Sequence, residues 1–262
     1  MKTSKRAASA VIWIFSLIII WEIAAYVLQD VLNDPLAEKK VPSMITILTS
    51  YAEHFGTIMH QAGITFSYAA AGFFAGAAAG ILLALVMRLS GIIERIALPY
   101  LLASQMIPIL GLAPIIFGLF KDVEASRIVI AGYISFFPVS VNFLSGMKSV
   151  GEEFTALMSS YGTGKVQLYR KLLIPYSLPY LFAGLKLAAP MAVTASILAD
   201  TLSSRDGIGY IIIYSLYGGG TKGQFWPALF TAAIMGLVSF FIVTALEYIA
   251  VPWKRGKGDG AV

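Results

Sequence analysis

Six apolar runs, each long enough to cross a bilayer, constrain this chain more than any other feature. They fall at about 10–28, 64–87, 98–120, 128–147, 175–198 and 225–251. A hydrocarbon layer of roughly 30 Å takes about 20 helical residues. Inside it every backbone N–H and C=O needs an internal partner, which leaves the helix as the fold for runs of this length. The pattern predicts an all-α, polytopic membrane protein with about six transmembrane helices. A water-soluble fold is the alternative, and it would have to hide all six runs. Composition opposes it: 58% of the 262 residues are hydrophobic and only 13% are charged. A typical soluble domain carries about 25% charge. The first run is too long for the apolar core of a signal peptide, so the reading is an uncleaved first span.

Basic residues set the orientation. With the N-terminus inside, the inner segments hold Lys2, Lys5, Arg6, Arg88, Arg95, Lys148, Lys165, Arg170, Lys171, Lys254, Arg255 and Lys257. The outer segments hold Lys39, Lys40, Lys121, Arg127, Arg205 and Lys222, and Lys186 falls within a span. The excess on one side predicts that both termini are cytoplasmic. The net charge of +5 is explained by this asymmetry, without a nucleic-acid partner.

Several chemistries are excluded or weak. The chain has no cysteine, hence no disulfide, thiol nucleophile or thiolate metal site. His54 and His60 are too few for a metal cluster, and no Ser/His/Asp set or carboxylate pair suggests hydrolysis. The segment Gly162–Lys165 reads GTGK, but Ser159 stands where a phosphate loop needs its first glycine. Val166 replaces the required Ser or Thr. ATP is therefore not expected on this chain.

Small features refine the spans. Gly72, Gly76 and Gly80 recur every four residues and predict a close helix–helix seam, since small residues let backbones approach in lipid. The partner helix is either in this chain or in a second subunit. Pro99, Pro108, Pro114 and Pro138 predict kinks in the third and fourth spans. Before the second span, Met44, Ile47, Leu48, Tyr51 and Phe55 predict a short amphipathic helix at the outer surface, N-capped by Ser43. The apolar, glycine-rich stretch at 203–224 reads as a partial helix on the outer side. Three charges sit in or near spans. Glu22 is read as a hydrogen-bonding residue. Lys186 is either half of an ion pair or a pathway residue. Glu247 is read as snorkelling toward Lys254 and Arg255.

A polar island at 151–171 separates the fourth and fifth runs. Glu152 and Glu153 suit the positive end of a helix dipole, and Lys165, Arg170 and Lys171 suit the negative end of a second one. Gly162 divides them. The island reads as helix–Gly–helix on the cytoplasmic side, stopped at Ile174-Pro175, where the chain turns back to the membrane.

The island carries a resemblance. Gly162 and Leu172-Leu173-Ile174-Pro175 keep the spacing of the EAA loop, and the chain resembles a permease subunit of a binding-protein-dependent ABC importer. Within that superfamily it is similar to the nitrate/sulfonate/taurine group. Supporting segments are VPSMITIL, AGFFAGAAAGILLALVMRLS, PYLLASQMIPILGLAPIIFGLF, FFPVSVNFLSGMKSV, KVQLYRKLLIPYSLPYLFAGLKLA and DGIGYIII, in order from about Trp13 to Trp253. One departure matters: Ala156-Leu157-Met158 occupies the Glu-Ala-Ala positions, so the loop acid is missing.

The resemblance implies a single transmembrane domain over 1–262 of the type I ABC importer kind. Its core would cover about 60–250 and its coupling loop about 150–175. Glu153, Tyr161, Gly162, Arg170 and Pro175 become candidates for coupling to a separate ABC ATP-binding subunit, which would bind ATP and Mg. Polar pathway candidates are Gln105, Asn142, Lys186, Thr194 and Ser196. The other implied partners are an extracytoplasmic substrate-binding protein and a second permease, either an identical copy or a paralogue. The implied location is the bacterial cell membrane. Cargo in the group includes nitrate, sulfonates, taurine, thiamine-pyrimidine precursors and riboflavin. The competing reading is a self-sufficient secondary transporter or channel. Secondary carriers usually need more helices or internal repeats, and no convincing repeat is visible.

Overall fold

The computed structural model describes residues 2–33, 37–203, 205–217 and 223–253, and among them there is no strand. The helices are α1 (Lys2–Tyr26), α2 (Ala37–Lys40), α3 (Met44–Leu89), α4 (Gly91–Met106), α5 (Ile109–Phe120), α6 (Val123–Lys148), α7 (Glu152–Ser160), α8 (Lys165–Leu168), α9 (Ile174–Ser203), α10 (Ile208–Tyr217) and α11 (Phe225–Ala250). π-helical turns follow α1 at Val27–Val31 and join α8 to α9 at Tyr169–Leu173. Among the described residues, four continuous helices are long and apolar enough to cross a membrane, Met44–Leu89, Val123–Lys148, Lys165–Ser203 and Phe225–Ala250, and α4 with α5 would make a fifth if taken as one broken span. The first predicted run lies in α1, where side chains up to residue 11 are outside the described residues.

The chain divides into two compact units, residues 1–59 with 211–230, and residues 60–210 with 231–262. In the first unit, Ser43 caps α3 as the sequence predicts, accepting from the Thr46 N–H at 3.3 Å. The Met44 N–H donates to the Glu22 carboxylate at 2.6 Å. Glu22 thus makes the hydrogen bond read for it, to one of the backbone donors a helix start leaves without an internal acceptor. Trp21 donates from its indole to the Pro42 carbonyl at 2.9 Å and meets Trp226 edge-on at 4.8 Å.

The separate surface helix is not found. Met44–Leu89 is one helix of 46 residues, about 69 Å of rise. The segment between Phe55 and Ile64 contains no proline. Gly56 and Gly63 have no neighbour within 4 Å of a built Cβ. An exposed glycine costs a helix only about 1 kcal/mol, which does not break it.

The second unit is built around α6. Gly72, Gly76 and Gly80 pack directly on its backbone. A Cβ at Gly72 would lie 2.6 Å from the Ile128 carbonyl, and one at Gly80 would lie 2.6 Å from the Phe136 carbonyl. At Gly76 it would collide with the Gly132 carbonyl. The predicted seam is real, and its partner is in the same chain. On another side α9 uses the same device: a Cβ at Gly184 would lie 2.7 Å from the Pro138 carbonyl. Gly146 on α6 reciprocates against Ser177 and Tyr180.

Two proline expectations change. The third run is more than kinked: it divides into two helices, α4 and α5, bent by 101° at a break, which together make a broken span or a re-entrant loop. Ile107 (φ −76°, ψ 118°) and Pro108 (φ −62°, ψ 121°) are both extended there. Pro108 has no N–H to give the ladder, and its ring pushes the preceding residue out of the helical region. Pro175, in contrast, does not stop its helix. Lys165–Ser203 runs through it as one candidate span. The π turn just before it shifts the hydrogen-bond register, with the Ile174 N–H bonded to the Tyr169 carbonyl. Pro175 then falls in the first turn of α9, where a missing N–H is tolerated.

Candidate functional site: a rooted polar hairpin and a buried ionic socket

The polar island folds as the predicted helix–Gly–helix. α7 ends in a Schellman motif: the Gly162 N–H donates to the Ser159 carbonyl at 2.9 Å and the Thr163 N–H to the Met158 carbonyl at 3.3 Å. Gly162 supplies the left-handed residue, with φ +66°. The Thr163 hydroxyl adds a second bond to the Met158 carbonyl at 2.6 Å. Nothing lies within 4 Å of a built Cβ at Gly162, so the requirement there is conformational and not spatial.

The hairpin's tip is exposed and partly apolar. Phe154, Leu157, Tyr161 and Val166 are all exposed, Tyr161 and Val166 by nearly four-fifths. Its root is buried. Val150 and Leu173 join Ala84, Met87, Leu101, Phe143, Leu144 and Met147 in one cluster, with Leu168, Tyr169 and Leu172 packed against it. The root is thus packed on helices α3, α4 and α6 through apolar side chains.

The predicted coupling residues separate into two places. Glu153, Tyr161, Gly162 and Arg170 lie on the exposed hairpin, while Pro175 is half-buried at its root, inside the continuous helix. The pathway candidates are dispersed, and among the described residues no hydrogen bond or ion pair joins any two of them. Gln105 sits at the end of α4 beside the break, with its Nε2 buried and without a hydrogen-bond partner. Asn142 donates to the Pro138 carbonyl at 2.7 Å. Thr194 is exposed and donates back to the Pro190 carbonyl at 3.0 Å. Ser196 is fully buried and ties α9 to α3 by donating to the Thr65 carbonyl at 3.1 Å. Lys186 pairs with Glu247 at 2.7 Å, with Lys186 about one-fifth exposed and Glu247 nearly buried. The snorkelling expected of Glu247 is thereby replaced by an ion pair between α9 and α11, which lowers the cost of both charges in the span. Lys254 and Arg255 lie outside the described residues.

One cluster was missed in the sequence. Arg127, counted there among outer-loop charges, is 1% exposed. Its Nε faces the Asp200 carboxylate at 3.1 Å, an ion pair whose N–H is not aligned for a hydrogen bond. Its Nη2 donates to the Asp206 carbonyl at 3.1 Å and pairs with the Asp206 carboxylate. The Tyr68 ring lies 4.9 Å from its guanidinium carbon, a favourable cation–π distance. The Thr65 hydroxyl donates to Asp200 at 2.6 Å. Three successive backbone N–H groups at the start of α10 also find side-chain acceptors: Gly207 on Gln61 at 2.6 Å, Ile208 on Thr65 at 2.8 Å and Gly209 on Asp200 at 3.4 Å. The sequence signal was an arginine and an aspartate near the ends of two different runs, facing a Gly-Ile-Gly step.

Among the described residues no group of acidic or histidine side chains is placed to hold a metal. Residues 76–255 match the family model described as "Binding-protein-dependent transport system inner membrane component". The chain belongs to that family, the multi-pass membrane permeases of ABC importers, whose ATPase is a separate subunit.

Relatives match over most of the chain. The chain is 30% identical to the formylaminopyrimidine transport permease ThiX of Halalkalibacterium halodurans over 256 residues, covering 97% of this chain and 99% of that one. It is 27% identical to the nitrate import permease NrtB of Synechococcus elongatus, covering 90% of this chain and 87% of the relative. A weaker match, 24% identical, is the aliphatic sulfonates permease SsuC of Bacillus subtilis, covering 82% and 78%. In fold it is similar to a chain in the crystal structure of an amino acid ABC transporter with histidines. The TM-score is 0.62 at 16% identity, covering 78% of this chain and 97% of the other. The nitrate/sulfonate-type permease assignment and the type I importer fold both hold.

Proposed function

We propose that this chain is a single transmembrane domain forming the translocation path of an ATP-driven importer in a bacterial inner membrane, with both termini cytoplasmic. It works as a pair, with an identical copy or a similar permease. The hairpin at 151–173 seats in the ATP-binding subunit, which binds ATP and Mg. An extracytoplasmic binding protein delivers the solute. The cargo is a small solute of the kinds named for its relatives: a formylaminopyrimidine, nitrate, a sulfonate or riboflavin.

The observation that carries this reading is the hairpin's construction. Its tip is exposed and its root is buried among Met87, Leu101, Phe143 and Met147. Gly162, Tyr161 and Arg170 are the contact residues, and Glu153 takes the place of the acid missing at Ala156. The pathway residues are drawn from Gln105, Asn142, Lys186, Thr194 and Ser196.

The test is reconstitution of the chain into vesicles with and without its ATP-binding subunit and binding protein. Uptake that requires both partners and ATP supports the proposal. Uphill accumulation by the chain alone would replace it with a secondary transporter. Ligand binding to the cognate binding protein then names the cargo.

A further inference from the structure

The charges of the buried cluster do more than neutralise each other. Gln61, Thr65 and Asp200 accept the N–H groups of Gly207, Ile208 and Gly209, in that order. These donors open α10 and have no intrahelical acceptor. Arg127 places its guanidinium beside the Asp200 carboxylate in a site where both are almost wholly buried, so neither charge is left without a partner. The loop is shaped to enter. A Cβ at Gly207, where φ is +94°, would overlap the Asp200 carboxylate, and one at Gly209 would overlap the Ile197 carbonyl. Four segments therefore meet at one socket: α3 through Gln61 and Thr65, α6 through Arg127, α9 through Asp200, and the loop at 205–209.

The socket has an inner and an outer half. Asp200 is sealed, whereas the Asp206 side chain is about half exposed. A half-exposed carboxylate exchanges its partner for water at far lower cost than a buried one. The Asp206–Arg127 bond is the part that opens without leaving an uncompensated charge inside.

We propose that Gln61, Thr65, Arg127 and Asp200 form a positioning socket that fixes the start of α10, with Asp206 as its solvent-side latch, and that coupled transport requires the latch closed. Arg127 and Asp200 then act by holding this loop and not by touching the solute. The transport part rests on the importer reading above; the anchoring part does not.

The experiment uses the full chain in lipid nanodiscs and compares wild type with Asp206→Asn and Gln61→Ala. Hydrogen exchange is read at the amides of Gly207–Gly209, and tryptic cleavage at Arg205, which is exposed beside the latch. Loss of one charge-assisted bond predicts about tenfold faster exchange for Asp206→Asn, with faster cutting. Unchanged exchange and cutting in both variants overturn the socket. The paired change Arg127→Gln with Asp200→Asn keeps the shape without a lone buried charge; it should insert normally and exchange as fast as Asp206→Asn. Exchange as slow as wild type in that pair overturns the ionic role.

With the ATP-binding subunit and binding protein present, Asp206→Asn should retain the ATPase and lose solute uptake per ATP hydrolysed several-fold. A freed loop with unaltered uptake per ATP overturns the positioning role. Wild-type chain that fails to take up solute with its partners instead refutes the importer reading, and the exchange result stands apart from it.

Discussion

Gly76 on α3 lies directly on the Gly132 carbonyl of α6, with no room for a Cβ between them. The obstacle is backbone and cannot rotate away. An alanine elsewhere in a helix gains up to about 1 kcal/mol over glycine. At this seam the sign reverses, because overpacking typically costs about 1–3 kcal/mol. Gly76→Ala should lower the melting temperature in detergent. Gly236→Ala on α11, where nothing lies within 4 Å, should leave it unchanged or raise it. Equal behaviour of the two would show that the seam does not hold the helices together.

Lys186 and Glu247 make a second separable test. Removing one partner leaves a charge inside the span, at a cost of about 2 kcal/mol once the partial exposure of Lys186 is discounted. Lys186→Met and Glu247→Leu should each reduce thermal stability. The double variant should recover most of the loss, because a well-packed apolar pair replaces an ion pair at little cost. Additive losses would show that the two charges do not depend on each other. A stable double variant without uptake would assign Lys186 to the pathway as well.

Hydropathy and glycine spacing carried most of the fold. Apolar runs located the spans because the bilayer demands a minimum length, and Gly72, Gly76 and Gly80 announced the seam because only close backbones need three such residues on one face. What stayed hidden depended on pairing across long sequence distances. Arg127 and Asp200 are 73 positions apart in the numbering, and neither run alone says that they meet. The continuity of α3 past Phe55, and of the helix through Pro175, escaped for a different reason. Local propensity marks places where a helix can end, but tertiary packing and one π turn decide whether it does. The hairpin at 151–173 was legible because its break is a glycine with a single conformational purpose.

Pro108 should control the angle between α4 and α5. Alanine there restores an N–H and relieves the restriction on Ile107. The chain has no cysteine, so cysteines placed at the exposed Leu102 and Ile115 take spin labels cleanly. In a straight helix these positions would stand roughly 20 Å apart along the axis, and a bend near 100° brings them closer. Pro108→Ala should shift the measured separation toward the straight value. An unmoved distance distribution would mean that packing around the break, and not the proline, sets the bend.

At the hairpin, the demand on Gly162 is a backbone angle. With φ at +66° and open space around a built Cβ, side-chain size is irrelevant and left-handed tolerance decides. Asparagine visits that region readily, whereas a β-branched residue is strained there by roughly 1–2 kcal/mol. Gly162→Asn should therefore behave almost as wild type. Gly162→Val should disturb the Schellman turn, leave insertion intact and reduce stimulation of the ATP-binding subunit several-fold. Charge reversal at the exposed Arg170 should weaken co-purification with that subunit more at low salt than at high salt, since screening removes such a contact. Full stimulation by Gly162→Val would mean that the turn's geometry is not what the ATP-binding subunit grips. Salt-independent recovery of the Arg170 variant would leave the apolar residues Phe154, Leu157 and Tyr161 as the gripping surface.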